Sequence, residues 1–196
     1  MITVRNVIAD VPRKRTARTV PMARRIGLTI HRCGFGSVAQ MVIGYERMGW
    51  SAPPYGFYVD ETAIYQLAAM TSVTSHAMRH NARRIGIGVA GDFRTRKPSS
   101  DSWQSAAELC GMICAAHEWT PYTRVGPERL LAPVVAGHDE LPWGSSMTDD
   151  NGRVTKQCPG RMWPMHSFRL TVVEKARGFL APRDAAEQLA SVGITL

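Results

Sequence analysis

Two spacings of hydrophobic residues alternate along this chain, and each specifies its own kind of element. Short β-branched and aliphatic runs read as strands, while apolar residues three or four apart read as helices. The first firm strand covers Ile26 to Cys33, and Gly34-Phe35-Gly36 ends it at a bend. Val38, Met41, Val42, Tyr45 and Met48 then recur at helical spacing, with Ser37 as N-cap and Gly49 as stop. That helix is expected to pack on the sheet. After the Pro53-Pro54 turn, Tyr55 to Val59 and Ala63 to Gln66 flank Asp60-Glu61-Thr62 as the arms of a hairpin. The run Ile85-Gly86-Ile87-Gly88-Val89-Ala90-Gly91 reads as a central strand whose glycines permit close backbone approach.

Asp101 to Trp119 has the clearest helical pattern, with Trp103, Ala106, Ala107, Cys110, Cys114 and His117 on or near one face. Pro133 to Ala136 reads as a further strand leading into Gly137-His138. The polar stretch Asp139 to Thr155, with Asp149-Asp150-Asn151-Gly152, reads as an exposed loop. Ser167 to Ala176 and Pro182 to Ala190 are expected to be helical, the second with Pro182 in its first turn. Residues 2–9 have the pattern of a short strand.

A chain of 196 residues fits one domain with a substantial core, and 44% hydrophobic with 20% charged residues excludes extended disorder. The 24 Lys and Arg against 16 Asp and Glu give +8, which favours anionic partners without choosing among nucleic acid, acidic lipid and wall polymer. No helix or aromatic motif for nucleic acid accompanies that charge. Arg13, Lys14, Arg15, Arg18, Arg24 and Arg25 crowd the approach to the first strand. They read as a solvated basic arm or as an arm that holds the protein near an anionic surface. Four irregularly spaced cysteines are not a disulfide scaffold and point to a reducing compartment at synthesis. Arg5 and Asp10 interrupt any apolar secretory core, so no signal peptide is expected, and no uncharged apolar run is long enough for a membrane span.

The chemistry concentrates at strand ends. His31 and His138 each stand where a strand opens into a loop, and with Cys158 they form a three-ligand zinc set that leaves a fourth position for water. Their spacing along the chain is not diagnostic by itself. Cys110, Cys114 and His117 also fall on one helix face and could hold a metal, although Met112, Ile113 and the alanines make the cysteines read as core packing. In an extended segment Lys156 and Cys158 point to the same side, so the ammonium could reach an oxyanion formed at the metal, or it is an ordinary loop lysine. His80, His117 and His166 read as surface or packing residues, and Cys33 as a thiol that does not ligate.

The local context of the three ligands resembles the zinc N-acetylmuramoyl-L-alanine amidases, the superfamily of short bacteriophage endolysins and peptidoglycan recognition proteins. The resemblance rests on Leu28-Thr29-Ile30-His31, Pro54-Tyr55-Gly56-Phe57, Ser75-His76-Ala77 with Asn81 and Ile85-Gly86-Ile87, Gly137-His138, and Lys156-Gln157-Cys158-Pro159, in that order. It spans roughly residues 24–165, and Arg83-Arg84 departs from it where a serine is common.

The resemblance implies Zn2+ on His31, His138 and Cys158, with Lys156 as oxyanion stabiliser. It implies that Tyr55 sets its hydroxyl beside the water, although a strand tyrosine otherwise belongs to a core or interface. His76 and Asn81 would bind glycan or stem peptide, or brace loops. The expected architecture is α/β: a single domain, residues 24–165, with a mixed central sheet flanked by helices and a zinc groove at strand ends. Residues 1–23 form the arm and 166–196 a helical extension packed on the domain. The expected activity is cleavage of the amide between N-acetylmuramic acid and L-alanine by a phage lysis enzyme, made in the host cytoplasm and acting on the anionic cell wall. A noncatalytic peptidoglycan-binding protein of the same fold is the alternative.

Overall fold

A computed structural model of the chain describes residues 3–13, 17–145, 147, 151 and 155–194. Its strands are β1 (Val4–Asn6), β2 (Gly27–Cys33), β3 (Phe57–Val59), β4 (Ile64–Gln66), β5 (Arg84–Ala90), β6 (Arg124–Val125), β7 (Ala132–Pro133) and β8 (Val135–Gly137). Its α-helices are α1 (Val38–Arg47), α2 (Ser100–Ala116), α3 (Met165–Arg177) and α4 (Pro182–Ser191). A six-stranded sheet runs β1-β4-β3-β5-β2-β8, and β6 pairs with β7 apart from it. Only β3 and β4 are antiparallel within the large sheet, joined by the Asp60 turn. The other pairs are parallel, so the expected mixed α/β sheet is what forms.

Strand periodicity divides the sheet into two unlike faces. Leu28, Ile30, Phe57, Val59, Ile85, Ile87 and Val89 point to the side where α2, α3 and α4 pack, in one apolar core with Ala106, Leu109, Ile113, Phe168, Val172 and Leu189. The intervening residues, Cys33, Tyr58 and Tyr65, belong to a second cluster with Met41 and Val38 of α1. That alternation puts Thr29 and His31 on the second face too. Ser37 caps α1 by accepting from Gln40 N–H at 3.3 Å, while Gly49 ends it with φ +79°. The last turn of the expected stripe leaves the core, since Met48 is exposed.

Three expectations change. The strand expected over Pro133 to Ala136 divides at Val134. Val134 C=O accepts from Leu28 N–H in the large sheet, and Val134 N–H donates to Thr123 C=O in the small one. The basic arm is only partly solvated. β1 extends the sheet edge beside β4, Val11 and Val20 are buried, and Arg25 is buried with its guanidinium donating to the carbonyls of Asn81 and Arg84. Burial lowers the Arg25 pKa to about 10. The stretch after His138 begins as a 3-10 helix, His138–Glu140, with Leu141 buried behind it. Asp149, Asp150 and Gly152 of its expected turn lie outside the described residues.

Candidate metal centre

The site forms on the second face because β5 carries no side chain there at two positions. A Cβ at Gly88 would meet the Tyr55 ring at 2.5 Å, and one at Gly86 would meet the His76 ring at 2.5 Å. Gly88 is the register partner of His31 on β2. The glycine-spaced strand is thus a floor on which Tyr55 and His76 lie beside His31. Larger residues there would displace both rings.

A chain of hydrogen bonds then sets the orientation of His31. The Arg84 carbonyl lies 3.0 Å from His76 Nε2, and a carbonyl only accepts, so Nε2 carries the proton. His76 Nδ1 is therefore an acceptor, and His31 Nε2–H donates to it at 3.1 Å. His31 Nδ1 is left with a free lone pair, directed at Cys158 Sγ 3.7 Å away. His138 reaches the same condition by another route. Its Nε2 donates to Gly144 C=O at 2.8 Å, and its Nδ1 is buried with no hydrogen-bond partner.

Two imidazole lone pairs and one sulfur therefore converge, and the three donor atoms lie within 4.8 Å of one another. A tetrahedral ion with bonds of about 2.0–2.3 Å holds its ligands roughly 3.5 Å apart, so these donors fit a zinc after a small inward movement. The orphaned His138 nitrogen is the plainest mark of that fit, since a buried acceptor without a partner is costly. Burial holds all three imidazoles neutral: His31 falls well below its ordinary pKa, His138 falls, and His76 falls to about 3. Burial raises the Cys158 thiol to about 11, against the pull of the Arg32 backbone and the Lys156 and Arg32 charges. Metal binding there would release that proton.

Tyr55 is buried with its ring centroid 5.3 Å from that of His31, and its hydroxyl lies 3.0 Å from that of Tyr45. Burial raises its pKa well above the ordinary value, so the hydroxyl keeps its proton. Lys156 is exposed, and its charge acts on His31, His138 and Cys158 alike. His76 and Asn81 occupy places that favour bracing. His76 is buried behind His31 instead of facing a cleft, and Asn81 Oδ1 accepts from Ala77 N–H at 2.7 Å within its own turn.

Cys110 and Cys114 are fully buried in the apolar core, where burial raises the first thiol well above its ordinary value and the second to about 12. His117 stands at the C-cap of α2 with its Nε2 buried and unpartnered, and the three residues do not draw together into a metal-sized donor group among the described residues. Cys33 is buried outside the donor set, His80 packs with Nε2 2.7 Å from Pro142 C=O, and His166 meets the Tyr122 hydroxyl at the surface.

Sequence reading misses three supporting residues. Tyr45 reads there only as part of an apolar stripe. Arg84 is fully buried, donating to the carbonyls of Leu28, Pro133 and Val134 and to Thr29 Oγ1, and burial lowers its pKa to about 9. It ties the strand of His31 to the strand of His138 while its own carbonyl fixes His76. The signal was a charged residue heading an apolar run. Arg169 of α3 binds Glu140 in a two-pronged ion pair, and Glu140 also accepts from Gly137 N–H at 2.8 Å, which braces the turn of His138.

Two strand-end histidines and a cysteine thus meet at one face of a mixed-sheet α/β domain, in a donor set that could hold a metal ion. The profile of N-acetylmuramoyl-L-alanine amidases matches residues 23–161, so the chain belongs to that family. No curated protein matches it in sequence. Among solved structures it is similar to N-acetylmuramoyl-L-alanine amidase LysC from Clostridium intestinale, at 18% identity over 88% of this chain and 98% of that one, with a TM-score of 0.60. It is similar to an endolysin of a Thermus scotoductus bacteriophage, at 16% identity over 88% and 98%, with a TM-score of 0.62. A variant of Drosophila peptidoglycan recognition protein PGRP-LB in complex with tracheal cytotoxin is similar at 17% identity over 83% and 95%, with a TM-score of 0.57. At these identities the likeness is one of fold.

Proposed function

We propose that this chain is a zinc hydrolase that cleaves the amide joining N-acetylmuramic acid to L-alanine in peptidoglycan, and that it serves in phage lysis. The observation that carries the proposal is the convergence of His31 Nδ1, His138 Nδ1 and Cys158 Sγ, each nitrogen freed by the hydrogen bond of its ring partner. Zinc held by these residues would supply Lewis acidity toward an amide carbonyl and bring the pKa of water toward neutrality. The Lys156 ammonium stabilises the negative charge that develops on the amide oxygen as water adds to the carbonyl carbon. Tyr55, anchored by Tyr45, orients the water through its hydroxyl and shares in moving its proton toward the leaving amine. His76 keeps the His31 lone pair aimed as the C–N bond breaks.

The family and its neighbours support peptidoglycan as the partner, and one of those neighbours is held in complex with tracheal cytotoxin. A noncatalytic binder would need neither Lys156 nor a thiolate, which favours the enzyme. No helix among the described residues is long and apolar enough to cross a membrane. Mass spectrometry of peptidoglycan digested by the zinc-loaded protein tests the reading. Free stem peptides beginning with L-alanine beside intact glycan strands are expected, whereas new reducing sugar ends would overturn it.

A further inference from the structure

The segment that follows His76 reaches the second histidine as well as the first. Gly144 C=O, which accepts from His138 Nε2 at 2.8 Å, also accepts from Met78 N–H at 2.7 Å. His80 is buried two residues further on, and its Nε2 lies 2.7 Å from Pro142 C=O. A carbonyl only accepts, so that nitrogen donates. Between these two bonds the Arg79 guanidinium lies over the Trp143 ring, 5.2 Å from its centroid. Met78, Arg79 and His80 thus grip Gly144, Trp143 and Pro142 in turn.

The grip holds a strained conformation. Arg79 has φ 63° and Trp143 φ 56°, a left-handed backbone that a large side chain adopts only where its surroundings impose it. The gripping segment is itself fixed. Asn81 Oδ1 accepts from Ala77 N–H at 2.7 Å, and His80 C=O accepts from Arg83 N–H at 2.9 Å and from Arg84 N–H at 3.0 Å. The gripped segment follows the 3-10 turn of His138, with Gly144 N–H donating to Leu141 C=O at 2.9 Å. Released from its hold, the Gly144 carbonyl could turn from His138 Nε2, and the ring would no longer be committed to presenting Nδ1.

We propose that His80, supported by Arg79, is a positioning residue for His138: it fixes Pro142 to Gly144, so that the Gly144 carbonyl keeps the imidazole proton on Nε2 and leaves the Nδ1 lone pair free for the donor set, a role that rests on the zinc reading above. One short segment then orients both imidazole ligands. His76 accepts from His31 Nε2 at 3.1 Å, and residues 78–80 hold the acceptor of His138. Holding both rings from one frame sets their lone pairs relative to each other before an ion arrives.

The test uses the full chain without turnover. In zinc-free protein carrying isotope-labelled histidine, nitrogen NMR should find His138 protonated at Nε2 in the unaltered chain and in His80→Gln, whose amide keeps a donor for Pro142 C=O. His80→Phe fills the space without a donor and should give a mixture of tautomers. The zinc Kd, read by competition with a chelator, should weaken by about tenfold in His80→Phe and by less than about threefold in His80→Gln. A merely structural role would lower the urea midpoint and leave both readouts of the folded protein unmoved, and that result overturns the proposal. So does a His138 protonated at Nδ1 in the unaltered chain, or a His80→Gln that restores nothing His80→Phe loses. Arg79 is exposed, so Arg79→Ala should keep the fold and weaken the zinc Kd by about threefold, the measure of one exposed cation–π contact. If His80→Phe does not fold, Arg79→Ala decides, and an unchanged Kd there overturns the proposal. If the unaltered chain binds no zinc, the zinc reading fails, and the tautomers of His138 still decide the role of His80.

Discussion

Two groups in this molecule offer nearly the same ligands and have opposite fates. Cys110, Cys114 and His117 lie within two turns of one helix, while His31, His138 and Cys158 are spread over 127 residues of chain. The nearby set is the poorer site. Its thiols sit among Leu109, Met112 and Ile113, and neither sulfur has a hydrogen-bond partner among the described residues. The distant set is aimed at every member: Arg84 and His76 orient His31, Gly144 orients His138, and the Arg32 backbone faces the Cys158 sulfur. Ligand type and helical spacing are therefore weaker signals than the hydrogen bond on the far side of each imidazole.

Exchanging one cysteine in each group gives the sharpest test of that contrast. Cys158→Ser should reduce bound zinc from about one per chain to near none and abolish activity while circular dichroism stays native, because a neutral hydroxyl replaces a thiolate. Full zinc content in that variant would move the third ligand elsewhere. Cys114→Ser should keep its zinc and activity and lose about 1–3 kcal/mol of stability in urea unfolding, since a hydroxyl enters an apolar core. The two substitutions are expected to have opposite phenotypes.

Arg84 stands between the two groups, with its carbonyl on His76 and its charge felt at Cys114. Arg84→Met removes the guanidinium donor from the carbonyls of Leu28, Pro133 and Val134, of which Val134 keeps the Leu28 N–H, and should cost about 3 kcal/mol or more. Zinc affinity, read by competition with a chelator, should fall as well because the two ligand strands, though still paired in the sheet, lose the guanidinium that fixes one against the other. A loss of stability with unaltered affinity would confine Arg84 to the fold.

Lys156→Ala should lower kcat by about 100-fold with zinc and fold intact, by the measure of one lost oxyanion donor. KM should move little. A loss confined to KM that fades at high salt would instead make Lys156 part of a surface that attracts the wall. At the small end, His117→Ala should change stability by no more than about 0.5 kcal/mol and leave zinc content unaltered. Loss of metal in that variant would revive the helix site.

Much of the fold was legible because strands and helices impose local periods. The alternation along Leu28, Thr29, Ile30 and His31 separates a core face from a site face before any neighbour is known. The capped stretch after Ser37 and the Asp60 turn were equally local. Val134 and Arg25 were not. The first divides a strand because its carbonyl and amide are claimed by different sheets. The second reads as solvated charge until the distant carbonyls that accept from it are in place.

The site divides in the same way. Sequence alone determined which residue types stand at strand ends, that two glycines leave one face of β5 bare, and that Lys156 accompanies Cys158. Only the tertiary structure decided that both histidines present Nδ1, that His76 stands behind His31, and that Tyr45 anchors Tyr55. An imidazole's free lone pair is set by the partner of its other nitrogen, and for His31 that partner is His76, 45 residues away. No local pattern records a partner that arrives only when the chain closes.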